Sequence, residues 1–186
     1  MPGCNQTLSG IAKDCTPNMG GIKKLLLCLA SSIASVTIDG TTGKITAITF
    51  VSDAPKFEEF ALPKGVASLA SSLQVNTENG VNYVQNVLTL AFNRMDTSKR
   101  VAVSALSVSE CVAIVQDNNG KYWYVGHDEP LTANGGDSGT GAAKTDRNGY
   151  GLNMQSEEQS YPYEVETGSG GVSIDSLIED HSASNQ

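Results

Sequence analysis

Between residues 66 and 92 the chain carries two long strand-length arms, VASLASSLQVNT and VNYVQNVLTLAF, on either side of Glu78-Asn79-Gly80. Asn-Gly accepts the positive backbone angles of a tight hairpin turn, whose twist matches that of the strands it joins. This pattern constrains the fold more than any other, because it demands a two-stranded antiparallel unit and leaves little room for a helical bundle. Arms of this length exceed what a small domain covers, so two layouts are open. The hairpin projects and pairs with a neighbouring subunit, or its arms are two ordinary central strands of a sandwich.

The rest of the chain follows the same grammar of short apolar runs separated by turn signals. Strands are expected at 22–31 and 34–38, ended by Asp39-Gly40-Thr41-Thr42-Gly43, at 44–51 (KITAITFV, alternating and β-branched) and at 57–62, closed by Pro63. Asp96-Thr97-Ser98 offers a cap for the single helix candidate, about 97–109, with Val101 and Leu106 on its apolar stripe. A core strand at 110–116 then turns through Asp117-Asn118-Asn119-Gly120 into an aromatic strand at 121–126. A glycine-rich loop follows, and 150–165 supplies a strand and its return. The expected architecture is mainly β: an antiparallel sandwich or barrel with one flanking helix and the long hairpin. The expected organisation is an N-terminal arm (1–20), a β-sandwich domain (21–166) and a flexible acidic C-terminal tail (167–186) with a small docking element at Val172, Ile174, Leu177 and Ile178.

Charge narrows the partners. The net charge is −8, yet residues 1–147 are nearly balanced, and from 148 onward there are seven acids and no base. Such a surface repels a nucleic-acid backbone, and Lys23-Lys24 and Lys99-Arg100 are too few to reverse it. The cysteines at 4, 15, 28 and 111 match no zinc spacing. Cys28 and Cys111 sit in apolar runs as buried thiols, while Cys4 and Cys15 are free or bridged according to the redox compartment. The run at 22–36 has some features of an export signal, but it starts late and is too short to span a bilayer; a buried strand is the expectation.

Gly136-Asp137-Ser138-Gly139 looks like the nucleophile motif of a serine protease. A catalytic serine needs a histidine to take its proton and a carboxylate to orient that histidine. The two histidines are His127, eleven positions before Ser138, and His181, in a polar terminal segment. Thr140 stands where the motif's next glycine belongs. Loop chemistry explains the glycines better. Asp117-Asn118-Asn119-Gly120 and Asp146-Arg147-Asn148-Gly149 read as Asx turns rather than calcium loops. Glu58-Glu59 and Glu157-Glu158 are adjacent on strands, so their side chains point to opposite faces and form no carboxylate pair. No catalytic residue, metal site or cofactor site is expected. Tyr122, Trp123 and Tyr124 are consecutive and occupy both faces of their strand, so at least one ring is expected at an edge or subunit contact.

Three segments together carry a resemblance: NMGGIKK at the end of a cysteine-bearing arm, VAIVQDNNGKYWYVG at 112–126, and GTGAAKTDRNGYGLNMQSEE at 139–158. Over residues 15–165 the chain resembles structural virion proteins of tailed phages that infect Bacteroidetes, including crAss-like phages, and its layout is similar to the tail tube protein class. The resemblance implies a homo-oligomer, commonly a hexameric ring, lining a channel through which DNA passes without specific binding. It also implies other tail or connector proteins as partners, no membrane, and a place in the virion tail after assembly in the host cytoplasm. On this reading Gln74, Asn76, Glu78, Asn79, Asn82 and Gln85 line the channel. Tyr122, Trp123 and Tyr124, with Gly135, Gly136, Asp137, Ser138 and Gly139, make contacts between subunits. Two rivals remain: a secreted or surface β-sandwich adhesin or ligand-binding module, and a hydrolase using Ser138 with His127.

Overall fold

Residues 10–11, 13, 15–168 and 170–179 are described by the computed structural model. The apolar run after Gly21 forms β1 (Ile22–Leu29), and a 3-10 turn at Ala30–Ser32 leads into β2 (Ile33–Ile38). There follow β3 (Ile45–Phe50), β4 (Glu58–Phe60), and the expected hairpin as β5 (Ser68–Asn76) and β6 (Val81–Asn93). Helix α1 (Thr97–Leu106) is capped by Asp96, whose carboxylate accepts the Lys99 N–H. The chain continues through β7 (Cys111–Asp117), β8 (Tyr122–Val125), β9 (Thr132–Gly139), β10 (Gly149–Glu158), β11 (Tyr163–Val165) and a one-turn helix α2 (Ile174–Leu177).

These strands form two sheets. One has seven strands in the order β2-β3-β11-β8-β7-β1-β4; the other has four, β5-β6-β10-β9. The molecule is a β-sandwich with one flanking helix, not a closed barrel. Leu25, Leu27, Ala113 and Val115 of the large sheet meet Leu88, Leu90, Leu152 and Met154 of the small one, and Leu106 of α1 joins them. A fully buried leucine of this kind stabilises by about 1.5–3 kcal/mol.

The second face of the large sheet is buried too. Leu26, Ile114 and Tyr124 lie under Phe57, Val172, Ile174 and Leu177. That is why β1 and β7 are continuous apolar runs instead of alternating ones. The cover belongs to the segment expected as a tail. Its residues 170–179 are seated by backbone bonds Phe57 N–H to Leu177 O and Glu179 N–H to Phe57 O, each 2.9 Å, and the Glu179 carboxylate accepts the Lys56 N–H. Residues 180–186, His181 among them, lie outside the described residues.

The glycine-rich segment is likewise a correction. Residues 132–139 are not loop but edge strand β9, paired along β10 from Gly149↔Gly139 to Gln155↔Thr132, with an irregularity at Asn153/Met154. Glycine replaces side chains here because the backbone runs close: a Cβ on Gly136 would stand 2.7 Å from the Gly151 carbonyl, and one on Gly149 would collide with the Phe92 carbonyl.

Candidate assembly surface

In the small sheet, pairing sets which side chains share a face. Ser68, Ala70, Ser72, Gln74 and Asn76 of β5 lie beside Thr89, Val87, Gln85, Tyr83 and Val81 of β6, and Asn153, Gln155 and Glu157 of β10 continue the row. This is the face turned away from the sandwich core, and each of these side chains is exposed or half-exposed. Nine of the thirteen are polar, and Ala70, Val81, Tyr83 and Val87 are the exceptions. None of the strand positions on the face is lysine or arginine. The one cation seen to reach it is Arg147, from the loop between β9 and β10, whose guanidinium donates to Asp137 at 2.6 Å across Gly151.

The acidic C-terminal half distributes its charge unevenly over the surface. Glu164 and Glu166 pair with Lys44, and Glu164 also with Lys121. Lys121 and then Lys44 hold the Glu164 carboxyl below its usual range against the opposing effect of burial. Glu158 points inward and is 2% exposed. Its Oε1 accepts from Asn86 Nδ2, Ser156 Oγ and the Gly126 N–H at 2.8–2.9 Å, and its Oε2 from the His127 N–H at 3.1 Å. The carboxylate thus ties β6 and β10 of one sheet to the end of β8 in the other. Among the described acids of that group, Glu157 is the one that stands on the outward face.

The expected channel residues divide. Gln74, Asn76 and Gln85 share the outward face; Glu78 and Asn79 form the turn, where the Asn76 side chain accepts both their N–H groups. Asn82 does not belong with them. It pairs with Val75, and strand alternation turns both toward the opposite side.

The expected contact residues divide as well. Gly135, Gly136, Asp137, Ser138 and Gly139 are all exposed along the free edge of β9. Tyr124 offers a neighbour no surface, being 1% exposed, because the chain's own C-terminal segment covers its face of the sheet. Burial pushes its hydroxyl pKa up. Tyr122 packs half-buried against the same cluster. Trp123 lies on the other side and donates Nε1–H to the Asp117 carboxylate at 3.1 Å. With Leu69, Ser71, Ile22 and Tyr161 it lines a cleft of about 400 Å³ between the sheets.

Ser138 and His127 stand at opposite ends of β10. Ser138 is opposite Tyr150, whereas the His127 N–H bonds to Glu158, eight residues further on and so roughly 26 Å away along the strand. The imidazole instead bonds Asp128 at 2.8 Å and packs on Tyr163. Among the described residues no cluster of His, Cys, Asp and Glu is arranged to hold a metal, and no helix is long and apolar enough to cross a membrane.

Two features lay outside the sequence reading. The Asp117-Asn118-Asn119-Gly120 turn is an Asx turn, with Asp117 accepting the Asn119 and Lys121 N–H groups, but its asparagines also hold the arm. Asn118 Nδ2 donates to Gly20 O, and Asn119 bonds Asn18 and Met19. The second is a groove between α1 and the free edge of β9, lined by Arg100, Val103, Ser104 and Ser107 on one side and Ala133, Gly136 and Ser138 on the other. Helical spacing of three and four among those α1 residues was the available signal, but it had no partner until β9 was known to be a strand. Compared with protein-family models, with curated proteins and with solved structures, the chain matches none.

Proposed function

We propose that this chain is a structural virion component, a tail tube or connector ring subunit. In this reading it closes into a homo-oligomeric ring, with the outward face of the β5-β6-β10-β9 sheet turned toward a DNA-conducting channel. One observation carries the reading. The outward sheet face is left largely exposed, is mostly polar with a slight acidic bias around the apolar Ala70, Val81, Tyr83 and Val87, and has no lysine or arginine among its strand positions. A channel that lets a polyanion slide needs a wall that neither grips phosphates nor offers a sticky apolar surface. The two free edges of the same sheet support the reading, since ring closure is one way to remove such edges.

The experiment is native mass spectrometry with electron microscopy of the full chain at micromolar concentration. Closed rings or stacked tubes, with no retention on a DNA column at low salt, are expected. A strict monomer at all concentrations, or salt-sensitive DNA binding, overturns the reading.

A further inference from the structure

We infer that the joint between copies is an antiparallel strand pair, β9 of one copy with β5 of the next, and that Leu73 and Val75 of β5 enter the neighbour's groove between α1 and β9. This deepens the ring reading and rests on it. The first argument is direction. The four strands alternate along the sheet, so β5 and β9 run oppositely within one copy. Rotation about a ring axis preserves strand sense, and it therefore sets β9 beside an antiparallel β5.

The second argument is stagger. Ser72, at the middle of β5, is opposite Gln85, whereas Gly136, near the middle of β9, comes level with Leu90 through Leu152, a slip of five residues. At ~3.3 Å per residue the slip is ~16 Å, and four strands at ~4.8 Å span ~19 Å. Carried around a closed sheet, that slip tilts the strands by ~40°, inside the range of about 35–45° that closed barrels adopt. Facing side chains must lie on the same side of the sheet, so Gly136, on the inward side with Leu152, pairs one residue to either side of Ser72, opposite Ser71 or Leu73. The slip is then four or six residues and the tilt ~35° or ~46°, at the two ends of that range, so closure does not require deforming the sheet.

The third argument is what each edge presents. Leu73 and Val75 are 50% and 57% exposed on the inward side of β5, beyond the part of the sandwich that could cover them. The groove beside β9 has Val103 and Ala133 on its walls, with Arg100 beside them, and glycine at Gly136, so at that position the edge holds no side chain against an added strand. This is strand addition to a sheet edge, with backbone bonds giving affinity and alternate side chains giving register.

The test is disulfide trapping in the full chain with Cys4 and Cys15 replaced by serine. Leu73→Cys or Val75→Cys is combined with Ala133→Cys, the two alternatives bracketing the register, and each single variant serves as control. Mild oxidation of one of the double variants is expected to give a ladder of linked copies ending at the ring mass, with the singles remaining unlinked. Rings by native mass with no ladder from either double variant overturn the joint and leave the channel reading standing. A linked dimer from Leu73→Cys or Val75→Cys alone means β5 pairs with β5, and overturns the joint. A strict monomer in the parent chain overturns both.

Discussion

At Glu158 a carboxylate is buried where the two sheets meet, and four donors converge on it. Removing it strands the Gly126 and His127 N–H groups without acceptors and leaves the Asn86 amide only its long 3.5 Å bond to Ser156, and a buried donor left unpaired costs about 1–3 kcal/mol. Glu158→Ala is therefore expected to lose about 3 kcal/mol or more in urea unfolding, and Glu158→Gln less, since its amide oxygen keeps some of the bonds. A change within ~0.5 kcal/mol for Glu158→Ala, typical of surface sites, would show that the network does not hold the sheets. The cysteines give a second check at this scale. Cys28 and Cys111 are buried, burial raises both thiols, and that of Cys111 is pushed up to about 11. A maleimide or disulfide reagent at pH 8 should label exposed Cys15 in the native protein and leave 28 and 111 unlabelled until denaturant is added. Rapid native labelling of either buried thiol would contradict the burial.

Elements differ in how plainly the sequence announces them. The 66–92 hairpin, the 97–106 helix and the β7–β8 turn were legible because Asn-Gly, an Asp cap and an Asp-Asn-Asn-Gly turn are local signals that residues satisfy with their own neighbours. Strand β9 was not legible. Glycine has low strand propensity, and TANGGDSG pairs through its backbone with a partner whose own glycines, 149 and 151, allow the close approach. No pattern in the segment itself encodes that. The seating of 170–179 was hidden for a related reason. Val172, Ile174 and Leu177 make too short an apolar set to declare a helix, and their meaning comes from Tyr124 and Ile114 waiting on the uncovered sheet face. The same covering segment explains why Tyr124 is buried without a neighbouring subunit, while Trp123, on the other face, is half-buried in the cleft between the sheets. Leu177, 5% exposed, is the place to test it. Leu177→Ala should cost about 2–4 kcal/mol as a core truncation does, measured by chemical unfolding, whereas a near-zero effect would mean that the segment is not docked in solution.

For the molecule as a whole, several carboxylates sit below their ordinary range because the folded chain donates to them. Asp39 accepts the Thr42 and Thr41 N–H groups, Asp96 takes the Lys99 side chain and N–H, Asp146 accepts the Ala143 and Ala142 N–H groups, and Lys121 lowers Glu164. In each case the folded pKa lies below the unfolded one. The stabilisation is complete above the unfolded carboxylate range of about 4 and is lost as pH falls through the lower folded values. The melting temperature should therefore hold down to about pH 5 and fall below about pH 4; a melting temperature unchanged at pH 3 would deny these bonds any net role.

The proposed ring closure would make a sharper demand on the same molecule, because strand number and tilt together fix the width of a barrel. Six copies would contribute ~24 strands, and at ~4.8 Å spacing and ~40° tilt the backbone cylinder has a circumference of ~150 Å and a diameter of ~48 Å. Side chains on the face that would line it are short to medium (serine, alanine, valine, threonine, asparagine and glutamine), with Tyr83 and Glu157 the longer ones, so they would narrow it by roughly 5–6 Å on each side and leave ~35–40 Å. Electron microscopy of rings viewed end-on is expected to show a lumen of that width if six copies close through the small sheet. A narrow lumen of ~20 Å in a six-membered ring would mean that other elements line the hole. The β5-β6-β10-β9 face would then have to lie elsewhere in the assembly.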